Sequence, residues 1–193
     1  MKNKVLILWF VIFQIITCYS QNKDLQIIVN EKSIIINDSC IYNDNVVLVS
    51  EFKNLKSIIK NDNYFKINNK KHPEYIYENC GLSFEYGSNN KLGPPSINIY
   101  YSLDTIWHKM FNNRHFKQIG KYVGLLKVLD LTFNENTTLS DFKNCKVIKS
   151  LINDKDSTAS YRINYNGISY FFAFDGNKEY SKIMQVCIQY YFH

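Results

Sequence analysis

The sequence predicts an α+β fold of two tandem repeats, each a helix packed on an antiparallel sheet. Three observations carry that expectation. The heptapeptide Ser50-Glu51-Phe52-Lys53-Asn54-Leu55-Lys56 recurs as Ser140-Asp141-Phe142-Lys143-Asn144-Cys145-Lys146, with five positions identical and one carboxylate exchanged for another. A β-type stretch follows each copy, Cys80-Gly81-Leu82-Ser83-Phe84 and then Asn166-Gly167-Ile168-Ser169-Tyr170. Each of those is followed by a closing strand, Ile97-Asn98-Ile99-Tyr100-Tyr101 and Val186-Cys187-Ile188-Gln189-Tyr190. Such self-similarity marks a duplicated supersecondary unit. Strand, helix, then antiparallel strands is the grammar of helices laid on one sheet face. The expected divisions are a signal peptide at 1–20, a first α+β repeat at 21–101, a connector at 102–120 and a second repeat at 121–193.

In the first unit, Leu25-Gln26-Ile27-Ile28-Val29 and Ser33-Ile34-Ile35-Ile36-Asn37 are β-branched runs separated by Asn30-Glu31-Lys32. They read as a hairpin with a three-residue loop. Residues 38–45 are polar and read as a loop leading to the first heptapeptide. There Ser50 is a natural N-cap and Glu51 suits the positive helix end. Phe52, Leu55, Ile58 and Ile59 then recur at helical spacing. Residues 61–63 stop that helix. Residues 75–78, 82–86 and 96–101 read as strands, the last two separated by a turn-rich loop.

The second unit repeats this order. Residues 122–132 are rich in strand formers, and 133–136 turn the chain. Thr138 or Ser140 caps a helix whose apolar positions are Phe142, Cys145, Ile148, Leu151 and Ile152. Residues 161–165, 168–174 and 183–192 are the remaining strands, with Phe174-Asp175-Gly176-Asn177 a strong turn signal. The connector carries Trp107, Met110 and Phe111 at helical spacing and is expected to hold one short helix.

Residues 1–20 read as a secretory signal: Lys2 and Lys4 form a positive start, an apolar run follows, and Cys18-Tyr19-Ser20 precedes a cut at Gln21. The run is about 12 residues, too short at 1.5 Å per residue to cross a hydrocarbon layer of about 30 Å. Export to the periplasm, cell surface or medium is the expectation. Lipidation at Cys18 is the alternative to simple cleavage. The remaining 173 residues carry 21 basic and 17 acidic side chains. An excess that small, with Arg114 and Arg162 the only arginines, argues against nucleic acid, which calls for a clustered basic stripe. Asn, Lys, Ile, Tyr and Phe are abundant as in AT-rich genomes and are discounted as functional signals.

Cys40, Cys80, Cys145 and Cys187 remain after cleavage, an even count that permits two disulfides in three connectivities. Cys40 with Cys80, both in the first repeat, is the pair to test first. Cys145 and Cys187 occupy positions not duplicated as cysteine and read as small core hydrophobes.

No signature for catalysis stands out. His72, His108, His115 and His193 lack accompanying cysteines or carboxylates at ligand spacing, so no metal is expected. Residues 175–179 offer too few oxygen ligands for calcium and read as a hairpin turn. There is no Gly-rich phosphate loop, nucleophile signature or Cys-x-x-Cys pair, and no cofactor is implied. The side chain to watch is tyrosine. Tyr75, Tyr77, Tyr86, Tyr161, Tyr165 and Tyr170 fall on predicted strands, where about half would face outward and offer rigid contact area. The other reading is that they only cover a pleated surface.

The run from Tyr75 through Tyr77-Glu78, Cys80-Gly81-Leu82 and Tyr86, closing with Ile97-Asn98-Ile99-Tyr100, resembles a bacterial domain family of unknown function found in envelope and secreted proteins. Tyr77-Glu78 stands where that pattern commonly has Trp-Asp, and Gly81-Leu82 where it has Gly-Ile. The second unit keeps Gly167-Ile168 but lacks the acidic partner. The resemblance implies no catalytic residue. In architecture the chain is similar to β-lactamase-inhibitor-like and BamE-like proteins, which bind other proteins; fold alone does not fix function. The expectation is therefore an exported, non-enzymatic protein-binding or scaffolding module of the bacterial envelope. The alternatives are an immunity-type protein neutralising a secreted toxin, and an enzyme with scattered catalytic residues.

Overall fold

The computed structural model describes residues 25–43, 46–48, 52–60, 64–67, 73–77, 80–85, 96–102, 121–152 and 159–190. The signal sequence, the connector helix, Ser50, Tyr86 and the four histidines lie outside the described residues. The fold is α+β, with two sheets and few helices. Among the described residues no helix is long and apolar enough to cross a membrane.

The first stretch forms β1 (Gln26–Val29), β2 (Ser33–Ile36), β3 (Ser39–Asn43), β4 (Val46–Val47), α1 (Phe52–Ile59), β5 (Phe65–Ile67), β6 (Glu74–Tyr77), β7 (Leu82–Glu85) and β8 (Ser96–Tyr100). The second forms β9 (Leu125–Val128), β10 (Leu131–Phe133), α2 (Leu139–Asn144), α3 (Lys146–Leu151), β11 (Ser160–Tyr165), β12 (Ile168–Phe174) and β13 (Ile183–Tyr190). A six-stranded sheet has the order β10-β9-β1-β2-β3-β4, and a seven-stranded sheet the order β11-β12-β13-β8-β7-β6-β5. Each sheet therefore takes strands from both sides of residues 102–120. The seven-stranded sheet is antiparallel throughout. The six-stranded sheet departs from the expected pattern at one place, where β1 and β9 run parallel.

The first hairpin has the expected loop at residues 30–32, closed by the Asn30 amide donating to the Ser33 carbonyl at 2.8 Å. The polar loop expected at 38–45 is instead mostly strand. Asn37 and Asp38 both have positive φ, 45° and 64°. That pair makes the two-residue turn that suits the twist of a hairpin, so the chain folds straight back along β2 and buries Ile41 and Tyr42. Asn37 also clamps the helix to this sheet. Its Oδ1 accepts from the Gln26 amide at 2.9 Å, while its Nδ2 donates to the Ile58 carbonyl at 3.0 Å. Short β5 is likewise absent from the expected elements.

Helix α1 buries Leu55 and Ile59, and Lys60 at φ 56° ends it in a left-handed residue. The Phe52 side chain lies outside the described residues. In the second unit Thr138 is the cap. Its Oγ1 accepts from the Asp141 amide at 3.2 Å and Asp141 Oδ2 accepts from the Thr138 amide at 2.8 Å, a reciprocal capping box. The single helix expected beyond it is two. Cys145 is extended (φ −61°, ψ 125°), ending α2 and opening α3. On one continuous helix Phe142 and Ile148 would point about 120° apart; the break lets both reach the core, where each is fully buried.

One core joins the sheets and helices. Phe133 on β10 stacks on Phe172 on β12, centroids 5.5 Å apart, and Phe142 meets Tyr161, Phe172 and Phe174 at 5.1, 4.8 and 5.3 Å. At the parallel joint the Tyr122 hydroxyl bridges carbonyls of Leu25 (3.0 Å) and Leu125 (2.9 Å). Gly124 allows that approach, since a Cβ there would sit 2.1 Å from the Leu25 oxygen. No disulfide joins Cys40, Cys80, Cys145 or Cys187 to another of the four. Cys40 lies on β3 of one sheet and Cys80 just before β7 of the other, so the pair first chosen for testing is unbonded. Cys145 and Cys187 are buried, as expected of core thiols.

Candidate functional site

Strand register decides which tyrosines could be surface. Cross-strand partners share a face and successive residues alternate. Tyr75 and Tyr77 pair with Phe84 and Leu82; Tyr161 and Tyr165 pair with Phe172 and Ile168; Tyr170 pairs with Ile188. All five sit in the parity that faces the core. Tyr77 and Tyr170 are fully buried and Tyr161 is 6 % exposed, so their rings are core and not contact surface, a correction to the sequence-based expectation. Tyr77 meets Phe84 edge-on at 5.9 Å, and Tyr170 stacks on Phe172 at 6.2 Å. Tyr75 and Tyr165 are half-buried. Lys66 Nζ covers the Tyr75 ring at 5.3 Å, and Lys143 Nζ lies 5.8 Å from that of Tyr161. The Tyr165 hydroxyl donates to Glu31 Oε1 at 3.3 Å. Tyr86 lies outside the described residues. The five described tyrosines therefore form no continuous outward patch.

The other parity of the same sheet is a polar array. It carries Glu74 and the fully buried Ile76 on β6, Ser83 and Glu85 on β7, and Ser96, Asn98 and Tyr100 on β8. It continues with Gln185, Cys187 and Gln189 on β13, Ser169 and Phe171 on β12, and Arg162 and Asn164 on β11. Burial is graded across it. Ser83, Ser96, Asn98 and Ser169 are buried, Gln185 and Gln189 half-buried, and Arg162 and Asn164 exposed.

Four strands are tied by one hydrogen-bond chain on this face. Gln185 Nε2 donates to Asn98 Oδ1 at 3.3 Å, Asn98 Nδ2 donates to Ser83 Oγ at 3.2 Å, and Ser83 Oγ donates to Glu74 Oε1 at 2.5 Å. Tyr100 is also hydrogen-bonded to Ser83. A hydroxyl has one proton and two lone pairs. With its proton on Glu74, Ser83 accepts from Asn98. Alongside, Ser96 Oγ donates to Glu85 Oε2 at 3.4 Å.

Burial pushes the Glu74 carboxyl above its ordinary value; the Ser83 bond opposes this and the negative charge of Glu85, directly across the strand pair, adds to it. Burial likewise raises the Tyr100 hydroxyl, against the Ser83 bond. The Cys187 thiol is pushed up to about 12, chiefly by burial and then by Glu85, with Arg162 pulling the other way. A thiol held protonated at neutral pH is a poor nucleophile. Ser83 is fully buried with its proton committed to Glu74, so it offers no nucleophile to solvent. Among the described residues no group of three or more His, Cys, Asp or Glu could hold a metal ion. What the array can do is present fixed amide, hydroxyl and carboxylate groups from a rigid sheet.

None of these polar residues was singled out from sequence. A signal was present: polar residues alternate with apolar ones in Leu82-Ser83-Phe84-Glu85 and in Ser96-Ile97-Asn98-Ile99-Tyr100, which marks the outward parity. Comparison of the chain with known families, characterised proteins and solved structures finds no match.

Proposed function

We propose that this chain is an exported, non-catalytic binding module of the bacterial envelope that contacts another protein through the outward face of its seven-stranded sheet. The observation that carries this reading is the ordered polar array on that face, graded from buried serines to exposed Arg162 and Asn164. The side chains of Glu74, Ser83, Asn98 and Gln185 on it are held by mutual hydrogen bonds before any partner arrives, which reduces the ordering cost of binding. The signal-like start at residues 1–20 supports export.

The module is a diverged duplication. Gly81 (φ 64°) and Gly167 (φ 77°) precede β7 and β12 with the same left-handed backbone, and Ser83 and Ser169 two residues on are both buried polar residues. The two closing strands, β8 and β13, lie side by side and antiparallel at the middle of the sheet. Each unit would thus supply one wing of the contact face.

Affinity capture from envelope and culture fractions tests the reading with three baits. Wild type and Tyr170→Phe retain one shared partner, while an Arg162→Glu/Gln189→Ala bait with unchanged melting temperature loses it. Retention of every partner by the double variant would overturn the surface assignment.

The raised Glu74 carboxyl favours one other reading, an enzyme in which Glu74 donates a proton. Turnover of any member of an ester, glycoside and peptide substrate panel that Glu74→Gln abolishes would replace the binding reading.

A further inference from the structure

We propose that the hydrogen-bond chain from Gln185 through Asn98 and Ser83 to Glu74 is a proton-linked latch that holds the seven-stranded sheet together across its central seam. The inference is independent of what the face binds. The chain crosses β13, β8, β7 and β6, and so bridges the β13–β8 joint where the two halves of the sequence meet. Its donors all run one way. Each amide or hydroxyl proton is directed towards Glu74, which sits at the accepting end and receives only Ser83 among the described donors. The Glu74 carboxyl has a second oxygen, and a proton bound there leaves the chain of donors undisturbed.

The charged groups around Glu74 make that proton favourable. From β7, Glu85 stands directly opposite as a like charge. From β8 and β13, Tyr100 and Cys187 are held neutral by burial. Arg162 on β11 influences Cys187 and does not count among the groups acting on Glu74. On the β5 side, Lys66 lies in the opposite parity beside Tyr75 and does not face the carboxyl. Two half-buried carboxylates on adjacent strands cannot both ionise without cost. A carboxyl whose folded-state pKa exceeds its unfolded value contributes stability that is present at low pH and lost as pH rises through the folded value. Protonation of Glu74 therefore stabilises the sheet, and the Ser83 bond, which is stronger to the ionised carboxylate, limits the loss as pH rises.

The test is thermal unfolding of the chain at pH 5 and pH 8, with carbon-detected titration of the Glu74 carboxyl. Glu74→Gln mimics the protonated form and is expected to melt about 2–4 °C above wild type at pH 8, the gap closing towards pH 5. The Glu74 midpoint is expected above 4.5, lowered by Glu85→Gln and raised further by Ser83→Ala. A midpoint at or below 4.5, or a melting difference that does not change with pH, would overturn the proposal. If Glu74→Gln does not fold, the midpoint and its opposite movement in the other two variants still decide it.

Discussion

On the inward side of β12, Tyr170 stacks on Phe172, which in turn packs on Phe133 and Phe142. On the outward side of the same strand sits Ser169, facing Gln189 and Asn164 across the sheet. The same contrast holds on β7 and β8, where Leu82, Phe84, Ile97 and Ile99 lie on the face of the aromatic cluster and Ser83, Glu85, Asn98 and Tyr100 on the opposite face, where Ser83 and Asn98 are also buried. Both faces bury side chains, but by different means. The inner face gains from apolar area and ring packing. The outer face buries Ser83, Ser96 and Asn98 with hydrogen-bond partners beside them. The inner face should therefore tolerate loss of polarity and suffer from loss of volume, and the outer face the reverse.

The largest expected effect lies on the inner face. Phe142 is fully buried against three rings, so Phe142→Ala should cost about 3–5 kcal/mol, read by chemical denaturation. A cost below about 1 kcal/mol would mean that the ring is not at the centre of the core. On the outer face, Asn98→Ala removes the middle of the hydrogen-bond chain, leaving Ser83 without one donor and Gln185 without its acceptor. About 1–3 kcal/mol is expected, because buried polar groups are then unmatched. Asn98→Leu costing no more than Asn98→Ala would erase the contrast between the faces. The smallest effect is Tyr170→Phe. The Tyr170 hydroxyl is buried and finds no hydrogen-bond partner among the described residues, so removing it should be neutral or stabilise by up to about 1 kcal/mol. A loss above that size would reveal a polar contact on the apolar side.

Local elements were the legible part of this fold. The first hairpin with its loop at 30–32, the bounds of β12, and Thr138 as one of two cap candidates all follow from runs of β-branched residues, turn chemistry and capping preferences. Strands β3 and β5 were hidden because each is short, and because Asn37-Asp38 resembles the start of a polar loop as closely as a tight turn. The helix break at Cys145 was hidden by an apolar spacing that fits one continuous helix locally; the core, not the spacing, requires Phe142 and Ile148 to face the same way. The partnership of β8 with β13 and of β1 with β9 depends on closure between distant segments, which periodicity does not encode. The tyrosines misled for a related reason. Their number draws attention, but the residues between them reveal which parity is turned outward.

Tyrosine reactivity in the native state tests this account most directly. Tyr180 is 76 % exposed and serves as an internal standard. Under brief iodination followed by peptide mass spectrometry, Tyr180 should be labelled while Tyr77, Tyr161 and Tyr170 stay unlabelled until the chain is unfolded. Labelling of Tyr77 or Tyr170 as fast as Tyr180 would put the aromatic parity on the surface and contradict the assignment of the polar face as the outward one.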